Sequence, residues 1–403
     1  MNRPQLILAP GKEKALLRHH PWIFSGAVRR KVGNPADGDL VDVLGPDGTW
    51  LASGHYQDDS IICKILSFET QNIDISFFKQ RFMSAIGYRR QLGFFDSADT
   101  NVFRLVYGEG DNMPGLVCDW YNGILVFQAH SVGMHRLFPQ FTEVLHQLLG
   151  DRLYAVFDKS STTLPGGCDD GPVAVYKPNF DIQSFTDWEV LENGIRMVIN
   201  FYEGQKTGFF IDQRENRHLV SQLARGRRVL NCFGYTGGFS LAALKGGAEY
   251  VETVDVSKKA IELCNRNVEL NFGSGAPHKG TVADVLKYFS QSENQNSKFD
   301  FIILDPPAFA KNHRSLQQGL KGYRSINQSA MESLADGGML MTFSCSQAVS
   351  KEDFQTMVFT AAANARKHVR IVRQLPHAAD HPVSIYHPEG EYLKGLLLQV
   401  EDF

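Results

Sequence analysis

The chain has 403 residues, 43% of them hydrophobic and 21% charged, with a formal net charge of −3. That length allows two or three domains, each with its own core, and that charge excludes a polycationic protein, so any nucleic-acid binding must come from a local patch. Six cysteines with no CxxC pair and no Cys/His cluster argue against a metal site and a disulfide framework, and no run reaches the roughly 18 apolar residues of a membrane span. A cytoplasmic, reducing setting without membrane contact is expected.

In chain order, residues 1–31 carry Arg3, Lys12, Lys14, Arg18, Arg29, Arg30 and Lys31 against the single acid Glu13. Such a run is either a solvated face or a phosphate-binding patch. The opening MNRPQLILAPGKEK has only the apolar stretch LILA, too short for a secretory signal. In DLVDVLGPDGTWLASGHY, Val41 and Val43 alternate with Asp42 ahead of Gly45-Pro46-Asp47-Gly48, which predicts a hairpin. Residues 1–75 therefore read as a small β-rich binding module. Residues 76–185 are mixed: FFKQRFMSAIGYRRQLGF sets Phe78, Phe82 and Ile86 at helical spacing, and GLVCDWYNGILVFQAH predicts two strands around Asn122-Gly123. The Pro- and Gly-rich TTLPGGCDDGP (162–172) reads as a boundary region.

From about residue 186 the texture changes. RRVLNCF, YVETVDV, FDFIILD and MLMTFS are apolar strands. They alternate with the helices SLAALKGG, SKKAIELCNRNVELN and NQSAMESLADGG, the second capped by Ser257 with Ile261, Cys264 and Val268 on one face, the third stopped by Gly-Gly. SQSENQNSK (290–298) is a polar surface loop. This alternation predicts an open parallel sheet with helices on both faces, an α/β domain over 186–403.

Ligands of such sheets bind beyond the carboxyl ends of the strands. Four features fall there. VLNCFGYTGGFS (229–240) is a strand, a Gly-bearing turn and a helix, a weak signal alone because it is not GxGxxG. Asp255 closes the next strand, where a carboxylate can accept two ribose hydroxyls, and Asp284 stands at a corresponding strand end, where it can meet an adenine amino group. Each acid alone is more often a helix cap. ILDPPAF then gives Asp305, Pro306, Pro307 and Phe309: two prolines fix a rigid exit from the sheet and present a carboxylate, carbonyls and a ring to a planar base.

Together these features resemble class I S-adenosylmethionine-dependent methyltransferases, which are Rossmann-like. EGQKTGFFIDQRENR (203–217), VLNCFGYTGGFS, DPPAF, TFSCS and AADHPV (378–383) make the chain similar, nearly end to end, to the bacterial 23S rRNA cytosine-C5 methyltransferase I family. GKEKALLRHHPWIFSGAV resembles a PUA RNA-binding module. The resemblance implies a PUA domain over 1–75, a small α+β middle domain over 76–185 and the methyltransferase sheet over 186–403. It also implies S-adenosylmethionine at Asn231, Phe233, Tyr235, Thr236, Gly237, Asp255, Asp284 and Asp305, with Thr207 and Arg214 as candidates for the methionine moiety. Asn231 stands where methyltransferases commonly carry Asp, and Tyr235 where many carry Gly. The implied partner is 23S rRNA, naked or partly assembled; a homodimer is left open.

Cytosine C5 is a poor nucleophile, and a thiolate adding to C6 would activate it. Cys345, flanked by Ser344 and Ser346 just after a strand, is the candidate, whereas Cys232 and Cys264 fit buried apolar roles. Asp305 could accept from the N4 amine or share a proton at N3. Pro306, Pro307 and Phe309 would contact the base, with Asp380 and His381 as candidates for the substrate wall. DPPAF lacks the second cysteine that many such enzymes carry, so another group must take the C5 proton. Three other readings remain open: an exocyclic amino methyltransferase on guanine or adenine, a nucleotide-binding dehydrogenase, and a noncatalytic RNA-binding assembly factor.

Overall fold

The structure is a computed structural model that describes residues 3–164, 173–291 and 298–403. Most of the expected boundary stretch, Cys168 included, and most of the polar loop at 290–298 lie outside the described residues. The chain divides into two compact units: Met1–Leu191, Ile199–Ile211 and Ala379–Gly390 form the first, and Glu192–Val198, Asp212–Ala378 and Glu391–Phe403 the second.

The first unit opens with β1 (Gln5–Leu8), β2 (Trp22–Phe24), β3 (Val28–Val32), β4 (Leu40–Leu44), β5 (Trp50–Tyr56) and β6 (Ile61–Ser67), in the sheet order β2-β6-β5-β4-β1-β3. The expected hairpin is β4–β5: Val41 and Val43 are fully buried while Asp42 between them keeps some exposure, because alternate side chains of a strand face opposite sides. At the sheet edge, β3 presents Arg29, Arg30 and Lys31 to solvent.

Helix α1 (Ile75–Gln91) is started by Asp74, whose carboxylate accepts from the Ser76 and Phe77 N–H groups, and it buries Phe78, Phe82 and Ile86. A second sheet follows, built from β7 (Val102–Tyr107), β8 (Leu116–Tyr121), β9 (Ile124–Ala129), β10 (Ala155–Asp158) and β11 (Val173–Val175). Asn122 and Gly123 join β8 to β9 with φ of 46° and 95°, the left-handed pair that a two-residue hairpin turn requires. Helices α2 (Val132–Arg136) and α3 (Phe138–Leu149) connect β9 to β10, and Phe78, Phe82, Phe127 and Phe141 share one apolar core. The strands β12 (Trp188–Glu192) and β13 (Ile195–Ile199) come next, and Glu192–Val198 belong to the second unit.

The second unit contains α4 (Arg214–Leu223), β14 (Arg228–Cys232), α5 (Gly238–Lys245), β15 (Tyr250–Asp255), α6 (Lys258–Phe272), β16 (His278–Val282), α7 (Val285–Ser290), β17 (Phe299–Leu304), α8 (Leu316–Ser333), β18 (Leu334–Ser344), α9 (Lys351–Ala365), β19 (Lys367–Gln374) and β20 (Lys394–Asp402). Its seven strands run β16-β15-β14-β17-β18-β20-β19. The first five are mutually parallel, and the order reverses between β14 and β17, where such sheets open a ligand crevice. Helices α4, α5 and α6 pack in one group and α7, α8 and α9 in another. Ser257 caps α6 through the Ala260 N–H at 3.3 Å, and Ile261, Cys264 and Val268 are buried, as the spacing predicts.

Two expectations need correction. The sheet is not wholly parallel, because β20 returns antiparallel beside β18 and β19 pairs antiparallel with β20. The third helix does not stop at Gly337-Gly338 either: α8 ends at Ser333, and the glycines belong to β18, where Phe299 pairs with Leu334 but Phe301 with Met339. The extra residues loop out as a bulge, and Gly337 takes the left-handed φ of 74° within it. Among the described residues, no helix is long and apolar enough to cross a membrane.

Candidate active site

The strand β14 leads into a turn through Phe233 (φ 58°), Gly234, Tyr235 (φ 47°), Thr236 and Gly237 (φ 88°). Left-handed backbone at two non-glycine residues costs on the order of 1 kcal/mol or more each and persists only where surroundings enforce it. Here Gly234 N–H donates to Val254 O at 3.1 Å and Tyr235 N–H to Asp255 Oδ2 at 3.0 Å. A Cβ on Gly234 would meet Thr253 Cγ2 at 2.3 Å, and one on Gly237 would meet Cys264 Sγ at 2.4 Å. Glycine is required because the turn lies hard against β15 and α6.

Asn231 is fully buried, and its Nδ2 donates to Ser240 Oγ at 2.9 Å. From there a polar chain runs through Thr253 Oγ1 at 2.6 Å to His278 Nε2 at 2.7 Å. Burial pushes His278 down to about 4, so the imidazole is neutral. Asn231 Oδ1 has no hydrogen-bond partner and remains an acceptor for a ligand's N–H donor. Asp255 accepts from Ser257 N–H at 2.8 Å through Oδ1 and from Tyr235 N–H through Oδ2, leaving a lone pair on each oxygen for hydroxyl donors. Asp284 is an N-cap: its Oδ1 accepts from Lys287 N–H at 3.0 Å.

Asp305 follows β17. Burial, reinforced by the nearby Asp212 carboxylate, pushes its carboxyl up to about 7, against the opposing pull of a Gln213 hydrogen bond and Arg217. Arg217 is itself paired with Glu192 at 2.6 Å. Asp212 accepts from the Tyr392 hydroxyl through Oδ2, while its buried Oδ1 has no partner. This acidic pair was not anticipated as a pair. Asp212 stands in FFIDQRENR, and only the fold brings it to Asp305.

Cys345 follows β18, the neighbour of β17, and its Sγ lies 3.8 Å from Pro306 O, the thiol donating. It is partly exposed, whereas Cys63, Cys118, Cys232 and Cys264 are buried. The flanking serines fix the two strand-end loops together. Ser346 Oγ accepts from Ala310 N–H at 3.2 Å and shares a 2.8 Å bond with the Tyr323 hydroxyl. Tyr323 in turn accepts from Phe309 N–H at 3.3 Å and lies against the Phe309 ring at 4.8 Å. Pro306 is buried and Pro307 exposed, so this loop shows its second proline and a partly exposed ring, with the thiol against the Pro306 carbonyl.

Arg214 is buried at the start of α4, 3.7 Å from Glu215. The remaining candidates fall in the first unit. Thr207 is fully buried, donating to Asp119 Oδ2 at 2.6 Å and sharing a 2.8 Å bond with the Tyr121 hydroxyl. Asp380 and His381 are also buried: Asp380 Oδ2 accepts from Arg104 N–H at 2.7 Å and Oδ1 meets His381 Nδ1 at 2.9 Å. All three are buried and hydrogen-bonded within that unit. Lys394, whose ammonium donates to Ser346 O, was missed altogether.

The orphan acceptor of Asn231 and the open lone pairs of Asp255 at successive strand ends suit an ammonium and a pair of ribose hydroxyls, the donors of S-adenosylmethionine. Residues 104–385 match the family model for S-adenosylmethionine-dependent methyltransferases, and residues 6–68 match a PUA-like domain. The chain is 37% identical over 403 residues to a ribosomal RNA large subunit methyltransferase I of Klebsiella pneumoniae, covering 98% of each chain. It is 37% identical over 402 residues to that of Escherichia coli, covering 98% of this chain and 99% of that one. A Streptococcus mutans structure, proposed to be an S-adenosylmethionine-dependent methyltransferase, aligns with a TM-score of 0.84 at 21% identity over 99% of this chain and 100% of that one, which shows the shared fold. A second solved structure, also at a TM-score of 0.84, is a complex with SAH. The cofactor is S-adenosylmethionine, and the chain belongs to the S-adenosylmethionine-dependent methyltransferase family, in the group of the ribosomal RNA large subunit methyltransferase I proteins.

Proposed function

We propose that this protein methylates C5 of a cytosine in 23S ribosomal RNA, with Cys345 adding to C6 of a base held outside its stack. One observation carries the reading: a partly exposed thiol stands 3.8 Å from the carbonyl of Pro306, next to Asp305, while the other described cysteines are buried. A methyltransferase acting on an exocyclic amine would use the Asp-Pro-Pro loop but has no need of that thiol.

In this reading the Cys345 thiolate forms a bond to C6, the C5–C6 double bond opens and charge moves toward N3 and O2 of the ring. Asp305, titrating at about 7, can hold a proton at neutral pH and donate it to N3, stabilising that charge. When bound, S-adenosylmethionine supplies the electrophilic methyl group that the activated C5 accepts. Loss of the C5 proton then re-forms the double bond, and the electron pair of the S–C6 bond returns to Cys345. Asn231, the turn from Phe233 to Gly237, Asp255 and Asp284 hold the cofactor, with Arg214 for the methionine carboxylate; Phe309 and Pro307 flank the base. The basic PUA-like segment supplies phosphate contacts to RNA that is naked or partly assembled, since a base inside a finished stack is out of reach.

Tritium transfer from labelled cofactor to protein-free large-subunit RNA tests this. Cys345→Ala is expected to lose transfer while still binding cofactor. Full transfer by that variant would leave the amine reading in its place, and mass spectrometry of nuclease digests would locate the methyl group.

A further inference from the structure

Lys394 opens β20 in register opposite Ser344, the residue before Cys345, and is only 6% exposed. Its ammonium donates to Ser346 O at 2.6 Å and to Tyr392 O at 2.7 Å, so one of its anchors is the carbonyl of the residue after Cys345. A buried ammonium held by carbonyls alone is costly; it calls for an anion. The charges around it are few. Glu391 and Lys351 act on it in opposite senses and are paired with each other at 2.6 Å. From α8, the Tyr323 hydroxyl is hydrogen-bonded to Ser346, the residue after Cys345. Among the described residues, the counter-charge left for Lys394 is the Cys345 sulfur. Burial pushes Lys394 down to about 8 and Cys345 pulls it back up. Coupling between two titrating groups is reciprocal, so the ammonium favours the thiolate to the same extent.

We propose that Lys394 is a positioning residue for Cys345, its ammonium holding the sulfur as thiolate both when it adds to C6 and when it leaves. The proposal rests on the reading of Cys345 as nucleophile. Lys394 keeps its protons throughout. The thiol proton goes to solvent, and the electron pair stays with sulfur until it forms the bond to C6.

Alkylation of the full-length protein with iodoacetamide, followed from about pH 6 to 10 with Cys345→Ser as background, reads the thiolate directly. The midpoint for Cys345 is expected below the roughly 8.5 of an ordinary thiol. Lys394→Met should move it up by about one unit, leaving about tenfold less thiolate at neutral pH, while Lys394→Arg stays near wild type. A role confined to holding two carbonyls would change the rate at every pH and leave the midpoint in place. An unchanged midpoint in Lys394→Met with calorimetric cofactor binding intact overturns the proposal. Should that variant not fold, a wild-type midpoint at or above about 8.5 overturns it equally. No RNA enters this measurement, so its outcome is separate from that of Cys345→Ala in the transfer assay.

Discussion

A carboxyl that titrates near neutrality inside a folded protein leaves a mark on stability as well as on chemistry. Asp305 is raised to about 7 by burial and by Asp212, against an ordinary value of about 4 in the unfolded chain. Below about pH 4 both states are protonated. Between there and 7 the unfolded chain ionises first, so the folded state binds more protons and loses stability as pH rises. Above 7 the loss is complete. Asp305→Asn removes the titration, so its melting temperature should exceed that of wild type increasingly from pH 5 to pH 8, with the two curves converging at low pH; parallel curves would refute the raised value. Cys345 and Asp305 were legible in the sequence because each directly follows a strand, and strand ends are where such sheets bind ligands. Asp212 and Lys394 were not. Their partners are some ninety and fifty residues away, and local pattern carries no trace of which turn faces which.

At the scale of elements, the turn from β14 into α5 gathers the steric constraints. Gly234 has no room for a methyl group, since its Cβ would stand 2.3 Å from Thr253 Cγ2, and Thr253 is locked by bonds to Ser240 and His278. Gly234→Ala should therefore cost about 1–3 kcal/mol in urea unfolding, and should weaken cofactor binding at least several-fold by calorimetry, because the turn must shift to make room. Wild-type values for both would mean that the turn yields freely. Elements with strong local signals were readable: the Asn122-Gly123 hairpin, α6 with its Ser257 cap and the β4–β5 pair all rest on turn or capping chemistry that acts within a few residues. Gly337-Gly338 misled because a Gly pair serves a helix stop and a bulge equally well, and only the pairing of β17 with β18 distinguishes them. The antiparallel return of β20 likewise has no local signature, since its apolar run would suit a parallel strand just as well.

For the whole molecule the controlling quantity is charge. A net charge of −3 repels RNA at long range, so binding has to be won by a confined cationic surface. The edge strand β3 offers one, with Arg29, Arg30 and Lys31 exposed in succession, and Lys12, Lys14 and Arg18 are exposed in the same unit. Each phosphate contact made by such a group releases counterions and steepens the salt dependence of binding by about 0.7–0.9 in log–log slope. Arg29→Gln with Arg30→Gln should accordingly flatten the slope for a large-subunit RNA fragment by about 1.5 and weaken binding across unrelated sequences alike, since phosphate contacts carry no sequence information. Cofactor affinity should not change, because neither arginine belongs to the second unit, where Asn231, Asp255 and Asp284 reside. Filter binding over a potassium chloride series measures the slope. An unaltered slope would remove β3 from the RNA interface, and a loss confined to one sequence would make these arginines readers of bases.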